Sequence, residues 1–274
     1  MDLGQRLAAE LPDEPRWLET RAMLQSGHAR IVGGDSIAAG FVVRLVHGAL
    51  SVVAVVGQPA RDAIAQAVAD VTDFTPVIAQ TADRSHVADV LPTSWTCERA
   101  ILHRLRPVDG EDRRRVEKDP PYTAKGSRPV RKDPPHERGQ PPAVRLLTRN
   151  DSLVHLPAGL GHEIRQAREF APIAAVFIDG VPVSFCYPAW VTERLWDVSI
   201  DTLEPHRGRS LGAHAVRFMI DLMAAEGREP VWGALESNAA SLRLGAKLGF
   251  VPAGDLVVFS RGGWVFLSGG FSGA

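Results

Sequence analysis

Hydrophobic and polar residues alternate most cleanly from Trp196 to Thr202, with Val198 and Ile200 on one side and Asp197, Ser199 and Asp201 on the other. A period of two is the pattern of a half-buried strand. Pro205 stops it, because proline has no N–H to give to a sheet. A basic turn follows, Arg207-Gly208-Arg209-Ser210-Leu211-Gly212, and then the period lengthens. Leu211, Ala215, Phe218, Met219, Leu222 and Met223 fall on one face of a helix that Gly227 closes. Strand, tight turn and helix in that order place exposed backbone N–H groups and a positive dipole end together, a ready site for a phosphate.

The same reading extends to the rest of the chain. Residues 16–26 form a helix ending near Gly27, and strands follow at Ala29–Val32, Phe41–Val46 and Leu50–Val56, the last two joined by a turn at His47-Gly48. Pro59 opens a helix over Ala60–Val71. A strand at Val77–Ala79, a helix at Arg84–Leu91 and a strand at Trp95–Leu105 complete this α+β half. After the next segment come a strand at Val144–Leu147 and a helix at Leu160–Phe170. Strands at Ala174–Ile178 and Val181–Tyr187 flank Asp179-Gly180, a strong hairpin signal. Past the long helix lie a strand at Pro230–Leu235, a helix at Ala239–Leu248 and a closing hairpin of Leu256–Ser260 with Trp264–Leu267.

Residues 107–142 break the pattern. They hold eight of the 20 prolines, nine Lys or Arg and seven Asp or Glu, with few large apolar side chains. Such a stretch buries too little surface to offset its ordering entropy and reads as a partly extended linker, Arg113-Arg114-Arg115 included as solvated charge. The expected organisation is an accessory domain over 1–106, a Pro- and charge-rich linker over 107–142, and a second domain over 143–274.

Composition narrows the class. With 45% hydrophobic and 23% charged residues the chain is an ordinary globular protein of mixed α/β type. A net charge of −1 gives no basic excess for nucleic acid. Two distant cysteines, Cys97 and Cys186, make no disulfide framework and fit a cytoplasmic setting. No signal-peptide core and no run of ~18 apolar residues is present, so no membrane partner is expected. His155, His162 and His214 lack metal-site spacing, so no metal is expected.

The C-terminal order β-α-β-β-β-α-β-α-β-β, over about residues 143–268, resembles the GNAT superfamily of acyl-CoA-dependent N-acetyltransferases. Two signatures carry the resemblance. Arg207, Ser210 and Gly212 match its Arg/Gln-x-x-Gly-x-Gly/Ala turn, and Asn238, Ser241, Leu244, Lys247, Gly249 and Phe250 match its second helix. The resemblance implies a GNAT fold and acetyl-CoA as acyl donor. It places the coenzyme's pyrophosphate on Arg207, Gly208, Arg209, Ser210, Leu211 and Gly212. Pantetheine would lie against unpaired backbone near Thr202 and Leu203, where the reaction's oxyanion would meet a backbone N–H, and Asn238 and Ser241 would lie along the thiol end. Two positions depart from the family. Ser210 stands for a glycine, as a helix cap or a hydroxyl for phosphate. Gly245 stands where many members place the tyrosine that protonates the departing thiolate, so the sulfur of the coenzyme would face Gly245.

The base that would deprotonate an incoming amine is left open among Asp201, Glu236 and Asp197. The acceptor is a small-molecule or protein amine, and a homodimer is compatible with the sequence. A non-catalytic acyl-CoA-binding module is the alternative function. The N-terminal half, read β-β-β-α-β-α-β, is expected to be a degenerate GNAT-like copy. Its counterpart turn, Gly57-Gln58-Pro59-Ala60, lacks an arginine, and Pro59 removes a donor.

Overall fold

Eleven strands form one sheet that runs through both halves of the chain in the computed structural model, which describes residues 1–47, 50–73, 75–106 and 142–261. The N-terminal half supplies β1 (Arg30–Gly33), β2 (Phe41–His47), β3 (Leu50–Val56), β4 (Val77–Ala79) and β5 (Thr96–Leu105). The C-terminal half supplies β6 (Ala143–Leu146), β7 (Ala174–Ile178), β8 (Val181–Val191), β9 (Leu195–Thr202), β10 (Glu229–Leu235) and β11 (Phe250–Ser260). The spatial order is β1-β2-β3-β4-β11-β5-β10-β9-β8-β7-β6. Mixed α/β is therefore the observed class.

That order interleaves the halves. β11 lies antiparallel between β4 and β5, and β5 lies antiparallel between β10 and β11. Each half thus lends a strand to the other, and β5 with β11 forms a long central pair from Thr96↔Ser260 to Leu105↔Phe250. Each half also contains one parallel pair, β3 with β4 and β9 with β10.

Seven helices cover the sheet among the described residues: α1 (Leu3–Glu10), α2 (Leu18–Gln25), α3 (Arg61–Val68), α4 (Arg84–Ala88), α5 (Ala158–Ala167), α6 (Leu211–Ala225) and α7 (Ala239–Lys247). Side-chain alternation along the strands sorts them onto two faces. On one face Ile64 and Ala67 of α3 and Val87 of α4 pack on Val53, Val55, Val257 and Phe259. On that face too, Ala215, Val216 and Met219 of α6 pack on Val198, Ile200 and Trp232. The other face carries Leu7 of α1 and Met23 of α2 over Phe41, Ala100 and Val258. It also carries Leu160 and Ile164 of α5 over Phe185 and Tyr187.

Most expected elements are present within a residue or a few of their ends. α1 was not expected; Asp2 caps it by accepting from Gln5 N at 2.8 Å while Gln5 reaches back to the Asp2 N–H, a capping box. β8 runs on to Val191 through Pro188, which is tolerated because β7 has already ended opposite Cys186 and a bulge follows. Asp179 (φ 50°) and Gly180 (φ 78°) form the expected hairpin turn. The turn residue Gly48, the segment 107–141 and the strand at Trp264–Leu267 lie outside the described residues.

Candidate functional site

β9 and β10 start as a pair and then separate. Their ladder covers Leu195↔Glu229, Trp196↔Pro230 and Asp197↔Val231, after which β9 continues to Thr202 and β10 to Leu235 without pairing. On its other edge β9 stays bonded to β8 up to its end, with Leu203 N donating to Val183 O at 2.9 Å. Alternation then turns the backbone groups of Ile200 and Thr202 towards the gap. The expectation of free backbone near Thr202 and Leu203 is corrected in this respect: the Leu203 N–H is spent on β8, and Ile200 takes its place. The Thr202 carbonyl accepts from Arg207 Nε at 3.0 Å.

The gap opens into a cleft of about 370 Å³ lined by Thr202, Arg207, Gly208, Ser210, Leu211 and Gly212 on one side and Asn238 and Ser241 on the other. The structure thus gathers two segments that the sequence reading had joined only by resemblance. Leu244 of the second signature also lines it, as do Ile200, His206, Ala213, Trp232 and Ala240, which no motif had marked. Arg209 stands beside the cleft, with Nη1 3.2 Å from His206 Nδ1.

Local packing explains the turn. Gly212 lets α6 press on the strand, since a Cβ there would stand 2.7 Å from Ile200 Cδ1 and 3.4 Å from Thr202 Oγ1. Ser210 sits at φ 59°, ψ 14°, the left-handed region that glycine enters freely and serine enters at a cost. Its hydroxyl makes no cap bond to α6, which corrects the expected capping role. Left-handed backbone aims it elsewhere, and it accepts from Lys247 Nζ at 3.1 Å.

Across the cleft, Asn238 caps α7 by accepting from Ser241 N at 3.1 Å, and Trp232 Nε1 donates to Ser241 Oγ at 3.1 Å. Gly245 does not face an open sulfur position, as had been expected. A Cβ on it would lie 3.2 Å from Trp232 Nε1 and 3.3 Å from Cδ1, so the indole occupies the space beside it.

The three acidic candidates separate clearly. Glu236 is exposed and paired with Arg99 at 2.6 Å. Asp197 is buried on the α2 face beside Glu19; burial pushes Asp197 up to about 7 and, with the Asp197 charge adding to it, Glu19 up to about 8. Asp201 is buried on the same face of β9 but at its open end, next to Thr202. Around it lie Tyr187, whose OH donates to Glu163, and Ser199. Burial pushes Glu163 up to about 7 and Tyr187 well above its usual range. Glu163 and Tyr187 had escaped the sequence reading because nothing local links them; they meet only when α5 packs on β8.

The corresponding place in the N-terminal half is closed. The β3–β4 ladder pairs Val55 with Ala79 at the end of both strands, so no gap opens. The turn Gly57-Gln58-Pro59 is covered by the loop ending at Gly40, whose added Cβ would stand 2.5 Å from Pro59 N. Among the described residues no group of three or more His, Cys, Asp or Glu has metal-holding geometry, and no helix is long and apolar enough to cross a membrane.

Comparisons with known proteins agree with this geometry. Residues 174–259 match the model of the GNAT acetyltransferase family. The fold is similar to a GCN5-related N-acetyltransferase-like protein from Streptococcus suis 89/1591 (TM-score 0.64, 16% identity, 94% of this chain and 98% of that one). It is also similar to a putative GNAT-family acetyltransferase from Novosphingobium aromaticivorans DSM 12444 (TM-score 0.53, 18% identity, 91% and 98%). A tandem GNAT protein from the clavulanic acid biosynthesis pathway matches at TM-score 0.52 and 14% identity over 94% of both chains. A search of curated proteins returned no match.

Proposed function

We propose, from a C-terminal half that holds a GNAT-family domain, that this chain moves an acetyl group from acetyl-CoA to a primary amine. The observation that carries the reading is the parting of β9 from β10 after Asp197↔Val231, with the basic turn at the mouth of the gap. An extended pantetheine arm needs backbone partners, and Ile200 and Thr202 offer them. The phosphates need N–H donors and positive charge, and the start of α6 with Arg207 offers both.

The amine attacks the thioester carbonyl directly, and the oxyanion forms against backbone N–H groups turned to the gap. Asp201 accepts the proton: of the three acidic candidates it is the one buried at the open end of β9, whereas Glu236 is exposed and ion-paired with Arg99 and Asp197 lies towards the start of the strand. The coenzyme's thiolate leaves without a tyrosine, since Trp232 fills the space beside Gly245. A water delivers the final proton, and a thiolate is already a fair leaving group. The N-terminal half shapes the interface and the acceptor side rather than holding a second coenzyme.

The same missing tyrosine favours a second reading, a non-catalytic acyl-CoA-binding module. Two measurements separate the cases. Calorimetry is expected to show acetyl-CoA binding that Arg207→Glu weakens by ~10-fold or more, because a negative charge then faces the phosphates. Equal affinity of the two forms would refute the coenzyme site. Thiol release from acetyl-CoA with a panel of amines is expected for the enzyme; binding without release would leave the module.

A further inference from the structure

Resting on that coenzyme reading and deepening it, we propose that Trp232 forms the floor of the cleft and restricts the acyl donor to short chains. The cleft has two chemically unlike ends. The turn Arg207–Gly212 is basic and rich in backbone donors, whereas Ile200, Leu244 and Trp232 are apolar lining residues, and Trp232 directly follows Val231, the last residue of β10 paired with β9. A ligand with phosphates at one end and an acyl thioester at the other therefore enters one way round. Its acyl group meets the indole.

That floor is held from three sides. Trp232 is fully buried, and its Nε1 donates to Ser241 Oγ at 3.1 Å on α7. The ring of Phe250 lies behind it, 5.3 Å away between centroids and tilted by 53°. Gly245 lies against the indole, with room for no Cβ without a shift of a few tenths of an ångström. A ring held in this way cannot swing out to another rotamer for a longer chain, although it can shift by a few tenths of an ångström when a neighbour crowds it. Glycine on α7 is then explained by what stands opposite it: it makes space for a tryptophan rather than for a substrate. Its helix cost of ~1 kcal/mol relative to alanine is the consequence.

Two substitutions should move chain-length preference in opposite directions. Trp232→Leu lowers the floor; Gly245→Ala pushes the indole up into the cleft. Calorimetry with free CoA, acetyl-CoA, butanoyl-CoA and hexanoyl-CoA reads this without any acceptor. The wild type is expected to bind acetyl-CoA at least ~10-fold more tightly than hexanoyl-CoA, the scale on which a pocket discriminates methylenes. Trp232→Leu should shrink that ratio by ~10-fold, and Gly245→Ala should extend the discrimination to butanoyl-CoA, with free CoA changed less than ~2-fold in both. If Trp232→Leu does not fold, as a melting curve would show, Gly245→Ala decides alone. Equal binding of all chain lengths by the wild type, or equal losses for free and acylated CoA in the variants, overturns the proposal. Absence of free CoA binding to the wild type is a different result and removes the coenzyme reading beneath it.

Discussion

Lys247 Nζ reaches Ser210 Oγ at 3.1 Å, latching the last turn of α7 to the turn that opens α6. The two segments that line the cleft are thereby tied to one another across its mouth. The bond uses a serine in a backbone conformation that favours glycine, at φ 59°. Local strain and a side-chain contact are opposed at one residue.

Their balance is measurable. Ser210→Gly should stabilise the chain by about 1 kcal/mol in urea denaturation, because left-handed backbone costs a non-glycine residue about that much or more. The lost bond subtracts little, since a lysine-to-hydroxyl contact at an exposed site is worth a fraction of that. A destabilised variant would show that the latch outweighs the strain.

The buried carboxyls Glu19 and Asp197 predict a dependence on pH. Both are raised in the folded chain, to about 8 and about 7, from ordinary values of 4.5 and 3.8. Unfolding returns them to those values, so from about pH 4 to about pH 8 the folded chain holds more protons than the unfolded one. Stability from this pair is full at the acid end and falls as pH rises through that window. Arg21 on the same helix does not relieve it, being committed to Glu193 at 2.7 Å. Melting temperatures from pH 5 to pH 9 should therefore decline, and Glu19→Gln should flatten the decline. An unchanged slope in the variant would mean that the pair is ionised in the fold.

How the halves join predicts the effect of cutting between them. β11 is held between β4 and β5, and β5 between β10 and β11, so neither half has a complete sheet without the other. A specific protease site placed within residues 107–141 and cleaved should leave two fragments that co-elute on size exclusion and separate only in denaturant. Fragments that part in buffer would contradict the strand order.

Periodicity made the strands and the signature helices legible, because Val198, Ile200, Leu211, Ala215 and Met219 report their own surroundings. Topology was not legible in that way. Nothing around Thr96–Leu105 or Phe250–Ser260 tells that each will pair with the other half, since the partners are more than 100 residues away and neither strand carries a local mark of its neighbour. The basic turn Arg207–Gly212 and Asn238-to-Ser241 were visible as motifs. Trp232 was not, because a tryptophan in a strand reads as core. Its meaning depends on the glycine that packs against it from α7. Glu163 was hidden for the same reason: on α5 it is one more charged helix residue until Tyr187 donates to it.

The remaining prediction concerns the proton. Glu236 is held by Arg99 at the surface and Asp197 lies towards the start of β9 under α2, so Asp201 is the buried carboxyl left beside the stretch of β9 that has parted from β10, where the proposed mechanism needs a base. Asp201→Asn keeps the shape and removes the charge, and should lower acceptor-dependent thiol release by ~10²–10⁴-fold. Acetyl-CoA affinity should stay within about twofold, because the side chain points to the α5 face and the proposed coenzyme site is the gap. Glu236→Gln is the control. It breaks an exposed ion pair worth at most about 1 kcal/mol and should leave the rate nearly unchanged. The readout that distinguishes a base from a structural acid is the split between measurements: loss of a base lowers the rate while acetyl-CoA affinity and melting temperature stay near the wild-type values. If Asp201→Asn keeps the full rate and Glu236→Gln does not, the proton leaves by way of β10, and the amine must enter from the side of Arg99.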